Sequence, residues 1–171
     1  FLHKPGKELK RITIDNKDDL LIDEIIWVER AAENHDQFAD LLRKNGAEVV
    51  YFQQCLADIV KDEGVRGELI EDALNRETHD FNLRDALKKT VMEMSPEEVA
   101  ETLVGGMTKL EAGKRIGPNL RSLTFTAADD HTFFFRTLPN LYFQRDPFFF
   151  VRDGVILSAM RFIARQREPL Y

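Results

Sequence analysis

The polar groups best placed to do chemistry in this sequence are Asn140, Arg145 and Asp146, set in residues 138–147 beside Tyr142, Phe143 and the run Phe148-Phe149-Phe150. A carboxylate among apolar side chains is costly without a partner. A guanidinium suits it, because a planar fork of N–H donors matches the two oxygens of a carboxylate. Asp146 could therefore hold a guanidinium ligand, while Arg145, next to it on an extended chain, would point the other way. The same residues also read as a structural Arg–Asp pair at the end of a strand, since ion pairs of that kind are common at such places.

Other reactive side chains carry less signal. Cys55 is the sole cysteine. It lies near the start of a helical stretch, where a thiol pKa can fall, but its apolar neighbours make it core filler. His3, His35, His79 and His131 show no metal-ligand spacing with one another or with Cys55, so no metal is expected. Asp129-Asp130-His131 reads as a solvated turn. Gly105-Gly106 reads as a helix terminus, because no strand precedes it and no Gly-Lys-Ser/Thr follows. No cofactor is signalled.

The elements that must position the candidate site follow from periodicity. Apolar residues recur at helical spacing over residues 18–45 (Leu21, Ile25, Val28, Ala32, Phe38, Leu41, Leu42), with Gly46 as a C-terminal stop. Residues 47–52 (AEVVYF) read as a short strand. Residues 54–115 carry successive helical stripes and no strand signal. Within them Ser95-Pro96-Glu97-Glu98 is a strong helix start, with Ser95 as cap and Glu98 reaching back. Strand character returns at residues 122–126, 132–138 and 141–143. Residues 148–157 form a hairpin with Asp153-Gly154 in the turn. Helices and strands joined by short connections make an α/β protein with a helical insert.

Composition narrows the class of partner. Acidic residues outnumber basic ones 30 to 24, and the net charge of −6 argues against a nucleic-acid or anionic-membrane surface. One cysteine cannot form an internal disulfide, which favours a reducing, cytoplasmic setting. No apolar run approaches the ~20 residues of a membrane helix. Lys4, Lys7 and Glu8 interrupt any signal-peptide core. The chain opens at Phe1 without a Met and closes at Tyr171 with no element completed, which suggests a piece of something longer.

Residues 139–147, PNLYFQRDP, resemble the PNxxFTRDP signature of the arginine deiminases. Three further segments agree in order. His3-Lys4-Pro5-Gly6-Lys7-Glu8-Leu9 resembles the family's HxPGxEL, residues 20–25 (LLIDEI) its LLFDDI, and residues 160–168 (MRFIARQRE) its MxxxARxRE. The resemblance spans the chain and implies a pentein fold, a five-bladed α/β propeller of ββαβ units with an α-helical insertion domain. Residues 1–53 would be the first unit, 54–117 the helical insertion and 118–171 most of the second unit. The implied activity is hydrolysis of L-arginine to L-citrulline and ammonia through a covalent cysteine intermediate, without metal or cofactor. The carry-over makes Asp146 the catalytic group that grips the substrate guanidinium. The substrate-binding residues it implies are Asn140 and Phe143, which line the pocket, Arg145 beside them in the motif, Arg165, which binds the substrate carboxylate, and Leu21, which touches substrate from the first unit. Glu24 stands where the family has Asp, Gln144 where it has Thr, and Ile22 where it has Phe.

The family's second Glu, its His-x-Asp pair and its nucleophilic Cys are not matched in this chain. The resemblance therefore implies the remainder of the same polypeptide as a partner, a homo-oligomer at full length, and a 171-residue piece that is inactive. Two propeller units would leave open β edges and uncovered apolar surface, so the piece is not expected to stand as a stable monomer. The rival readings are a sibling pentein enzyme (agmatine deiminase, dimethylarginine hydrolase or amidinotransferase) and a non-catalytic truncated homologue that binds arginine.

Overall fold

A computed structural model of the chain describes residues 1–118 and 120–171. In chain order its helices are α1 (Lys7–Lys10), α2 (Val28–Lys44), α3 (Phe52–Ile59), α4 (Glu63–Asn75), α5 (Phe81–Met92), α6 (Pro96–Gly105), α7 (Lys109–Gly113) and α8 (Leu123–Ala127). Its strands are β1 (Met107–Thr108), β2 (Phe133–Phe135), β3 (Phe148–Val151) and β4 (Gly154–Leu157). Two 3-10 turns follow, Ile163–Arg165 and Glu168–Leu170. Among the described residues the strands form two antiparallel pairs, β1 with β2 and β3 with β4. The class is mixed α/β, and the chain divides into two compact units, Phe1–Cys55 with Leu138–Tyr171, and Leu56–Thr137.

The Leu56–Thr137 unit is built from capped helices. Asp62 accepts the Val65 N–H at 2.9 Å and starts α4. Asp80 does the same for α5 through Leu83, at 2.9 Å. Ser95 and Glu98 close the expected capping box around Pro96 and start α6. α4 packs on α5 and α5 on α6, burying Ile70, Leu74, Leu83, Leu87, Val91, Val99 and Leu103. Arg66 satisfies helix ends within this core: Nε donates to the Val60 carbonyl at 2.7 Å and Nη1 to Met92 and Met94 at 3.1 and 3.2 Å.

Two expectations for this stretch are corrected. Residues 107–108 do form a strand, inside the region read as purely helical, and Met107 lies opposite Phe135. Gly106 makes that approach possible: its φ is +72°, and a Cβ there would lie 2.6 Å from the Phe135 carbonyl oxygen. Residues 122–126 are helical, not extended. Ser122 caps Phe125 at 2.9 Å, and the Asp80 carboxylate takes both the Ser122 hydroxyl (2.5 Å) and the Thr124 N–H (3.1 Å). The Ser122 cap, itself held by the distant Asp80 carboxylate, overrides the β-branched composition. These bonds hold the Asp80 carboxyl well below the usual carboxylate range, the Ser122 hydroxyl contributing most.

The other unit gathers the residues of the candidate site. Its core is Leu9, Ile12, Leu20, Ile22, Val28 and Ala164, with Ile26 and Tyr142 packed against it. The opening segment folds on itself: Glu8, buried, accepts the Gly6 N–H at 2.7 Å and lies 3.2 Å from His3 Nε2. α2 starts ten residues later than its periodicity suggests. Residues 13–22 are wound instead into turns held by Asn16, whose carboxamide accepts from Thr13 N–H and donates to the Arg11 carbonyl. Leu21 then adopts φ +61°, which no helix continues through. The far end of α2 is as expected. Gly46 (φ +84°) donates to Arg43 and Ala47 to Leu42, a Schellman closure.

Residues 47–52 contribute a single parallel bridge, Tyr51 with Leu2, and Phe52 already begins α3. The terminal hairpin pairs Phe148 with Leu157 through Val151 with Gly154. Its turn is therefore Arg152-Asp153, one residue before the expected Asp153-Gly154, and Arg152 takes the positive φ, at +55°.

Candidate functional site

Of the strand expected over residues 132–138 only Phe133–Phe135 is extended in a ladder, and residues 141–143, also read as strand, are not one; residues 138–146 hold turns instead. They are a succession of tight turns: Leu141 N–H donates to the Leu138 carbonyl, Phe143 to Asn140 and Asp146 to Phe143. Such a chain changes direction every few residues, so neighbouring side chains diverge. Phe143 and Asp146 are exposed here, whereas Asn140 is buried. The mouth of the hairpin fixes Asp146 from behind. Ser158 Oγ donates to the Asp146 carbonyl at 2.6 Å, and Ser158 N–H donates to the Pro147 carbonyl at 2.9 Å.

The Asp146 carboxylate faces a guanidinium. Arg165 Nη1 donates to Asp146 Oδ2 at 2.8 Å. The same guanidinium lies over the Phe143 ring, its carbon 5.9 Å from the centroid, within cation–π range. Its other face of donors is taken by Glu168. Nε lies 2.9 and 3.0 Å from the two carboxylate oxygens, and Nη2 lies 2.7 Å from Oε2. The consecutive 3-10 turns explain this geometry, because side chains at i and i+3 eclipse in such a turn. Glu168 is fully buried at its side chain, Arg165 is 15% exposed and Asp146 is 48% exposed. The Glu168 contact raises the Arg165 pKa further above its ordinary value, with Asp146 adding to it. Burial pushes the Glu168 carboxyl up, and Arg165 opposes that shift. The two halves of the network differ in kind. An ion pair half in water contributes about 0–1 kcal/mol, whereas breaking a buried pair costs roughly 3–5 kcal/mol.

Asn140 and Leu21 come together through the backbone. Asn140 Nδ2 donates to the Leu20 carbonyl at 2.8 Å, and that residue precedes the left-handed Leu21. Leu21 itself is 37% exposed. A bulky residue held at positive φ stores strain, a feature that clusters at functional sites. Tyr142 stacks on Phe143 with centroids 4.2 Å apart, and burial raises its phenol pKa.

The structure thus joins Asp146, Phe143 and Arg165, and ties Asn140 to the turn of Leu21. Arg145 is not brought in. It is exposed, and no hydrogen bond or ion pair engages it among the described residues. The structural Arg145–Asp146 pair that the motif alternatively suggested does not form; the Asp146 carboxylate pairs instead with Arg165, nineteen positions away. Glu24 is exposed, and Cys55 is half-buried on α3. Glu168 is the group that sequence reasoning left without a role. Its signals were its place as the last residue of the 160–168 motif and the i, i+3 spacing from Arg165. Among the described residues no group of His, Cys, Asp and Glu could hold a metal ion, and no helix is long and apolar enough to cross a membrane.

Residues 143–168 of this mixed α/β protein thus present a half-exposed carboxylate paired with a guanidinium that lies over an aromatic ring. A family model described as Arginine deiminase matches residues 18–171, and the chain belongs to that family. It is 34% identical over 173 residues to the arginine deiminases of Limosilactobacillus reuteri (strain DSM 20016) and Bacillus cereus (strain B4264), with all of this chain and 41% of each relative covered. The arginine deiminase of Pediococcus pentosaceus (strain ATCC 25745 / CCUG 21536 / LMG 10740 / 183-1w) is 34% identical over 171 residues, covering 99% of the chain and 41% of that protein. The chain spans about two-fifths of the length of these curated relatives.

Proposed function

We propose that this chain forms the substrate-binding N-terminal part of an arginine deiminase, which hydrolyses L-arginine to L-citrulline and ammonia. The observation that carries the reading is the Asp146 carboxylate already engaging a guanidinium beneath Phe143. Family membership supplies the substrate class. In this reading Asp146 takes the substrate guanidinium and fixes its central carbon in line for attack. Phe143 covers the planar group, and Asn140 and Leu21 shape the wall. Arg165 receives the substrate carboxylate, and Arg145 borders the same motif. A cysteine thiolate from the remainder of the polypeptide attacks the guanidinium carbon. A histidine there protonates departing ammonia, and water hydrolyses the covalent intermediate.

The fold that goes with this function is the pentein propeller, with residues 1–53 and 118–171 as its first two units and 54–117 as the helical insertion. Its setting is cytoplasmic, and the full-length protein is a homo-oligomer. The test is citrulline formation from L-arginine by the full-length protein and by the 171-residue polypeptide. The reading expects turnover from the first and none from the second. Turnover of agmatine in preference to arginine would favour a sibling enzyme. Absence of turnover in the full-length protein would sink the assignment.

A further inference from the structure

Arg165 is doubly held, and the two holds are unequal. Glu168 takes three donor contacts through Nε and Nη2 and is buried, while Asp146 takes only Nη1 and is half in water. A guanidinium bound edge-on by a buried carboxylate keeps its plane and position even when its remaining donor changes partner. We propose that Glu168 is the positioning residue of this site: it pins Arg165 so that Nη1 alone exchanges partner, from Asp146 to the carboxylate of a bound amino-acid substrate. This rests on the arginine reading above. When substrate enters, its own guanidinium takes the Asp146 oxygens and Nη1, held in place, donates to the substrate carboxylate instead, so each charge finds a partner at every stage. Without Glu168, the whole Arg165 side chain would follow Asp146 or water, and the carboxylate end of the substrate would lose its anchor.

A purely structural Glu168 would lower stability without selecting between binding and chemistry. The two accounts separate in the steady-state kinetics of the full-length protein with L-arginine. Glu168→Gln is expected to raise KM about tenfold or more, the scale of one lost charged contact, and to leave kcat within a few-fold. Glu168→Asp, which keeps the charge, is expected to recover part of the lost affinity. Arg165→Ala is expected to raise KM as well, and adding Glu168→Gln to it should raise KM little further, because the effect passes through Arg165. An unchanged KM in folded Glu168→Gln, or additive effects in the double variant, would overturn the proposal. If Glu168→Gln does not fold, Glu168→Asp decides: it should raise KM less than Arg165→Ala does and raise it no further in an Arg165→Ala background, and a further rise there would overturn the proposal. A wild-type protein that makes no citrulline would instead refute the underlying arginine reading.

Discussion

At the scale of single residues the site separates charge from packing. Asp146 is half in water and its carboxylate meets one donor of Arg165, so Asp146→Asn should change the melting temperature little, by under about 1 kcal/mol in stability. Under the proposed function the same substitution would remove the charge that orients the substrate guanidinium. Citrulline formation by the full-length protein should then fall by at least about thirtyfold, as losing a charged partner in a contact that bound substrate desolvates costs roughly 2–5 kcal/mol. Thermal melts and steady-state assays on one preparation check both halves, and a stable variant with unimpaired turnover would remove Asp146 from the chemistry. Asn140 should behave oppositely. It is buried and supplies the donor to the Leu20 carbonyl, so Asn140→Ala should cost about 1–3 kcal/mol by orphaning that acceptor, measured as a shift in the urea midpoint. Asp146 stood out in the sequence because a carboxylate among aromatic residues is a local pattern. Its arginine did not, because the pair forms between positions 146 and 165, and no periodicity relates a turn to a later 3-10 segment.

At the scale of elements the same contrast between local and distant signals decides what could be read. The α6 start was legible from Ser95 to Glu98 because a capping box closes within four residues, and Gly46 marked the end of α2 for the same reason. Residues 122–126 were misread because the decisive group, Asp80, lies 42 positions earlier than Ser122. β1 was missed because a two-residue strand has no pattern of its own and exists by pairing with β2. These contacts can be tested directly. A depressed folded-state pKa means that Asp80 stabilises the fold fully above its unfolded value near 3.8 and that this contribution is lost as pH falls toward the folded value. The urea midpoint of Asp80→Ala should therefore lie below that of the wild type at neutral pH, and the gap should narrow on acidification below about pH 4. A gap independent of pH would place the effect in packing rather than in the carboxylate. Gly106→Ala should cost about 2–4 kcal/mol, since it combines a left-handed backbone with a Cβ driven into the β2 carbonyl. A midpoint equal to that of the wild type would show that the β1–β2 pairing tolerates displacement.

At the scale of the whole molecule the telling feature is the hairpin of β3 and β4. Phe148, Phe150, Val155 and Leu157 share one face and Phe149, Val151 and Ile156 the other, by the register of the pairing. Both faces are apolar, which is the pattern of strands covered on two sides rather than the alternation of a sheet with one wet face. Yet Phe150 is 71% exposed, Leu157 62% and Val155 52%. A two-stranded ribbon is marginal in water, and a long, flat, apolar edge recruits other strands. A propeller reading meets this requirement, since neighbouring units from the rest of the polypeptide would cover those faces. The 171-residue polypeptide should accordingly self-associate in sedimentation velocity and make no citrulline. Supplying the remaining part of the full-length protein in trans should lower that self-association and produce citrulline from arginine. Phe150→Lys should weaken self-association and complementation together, because a single surface serves both. A polypeptide that sediments as a stable monomer, or a Phe150→Lys variant that complements as well as the parent, would mean that the hairpin is not where the two parts meet.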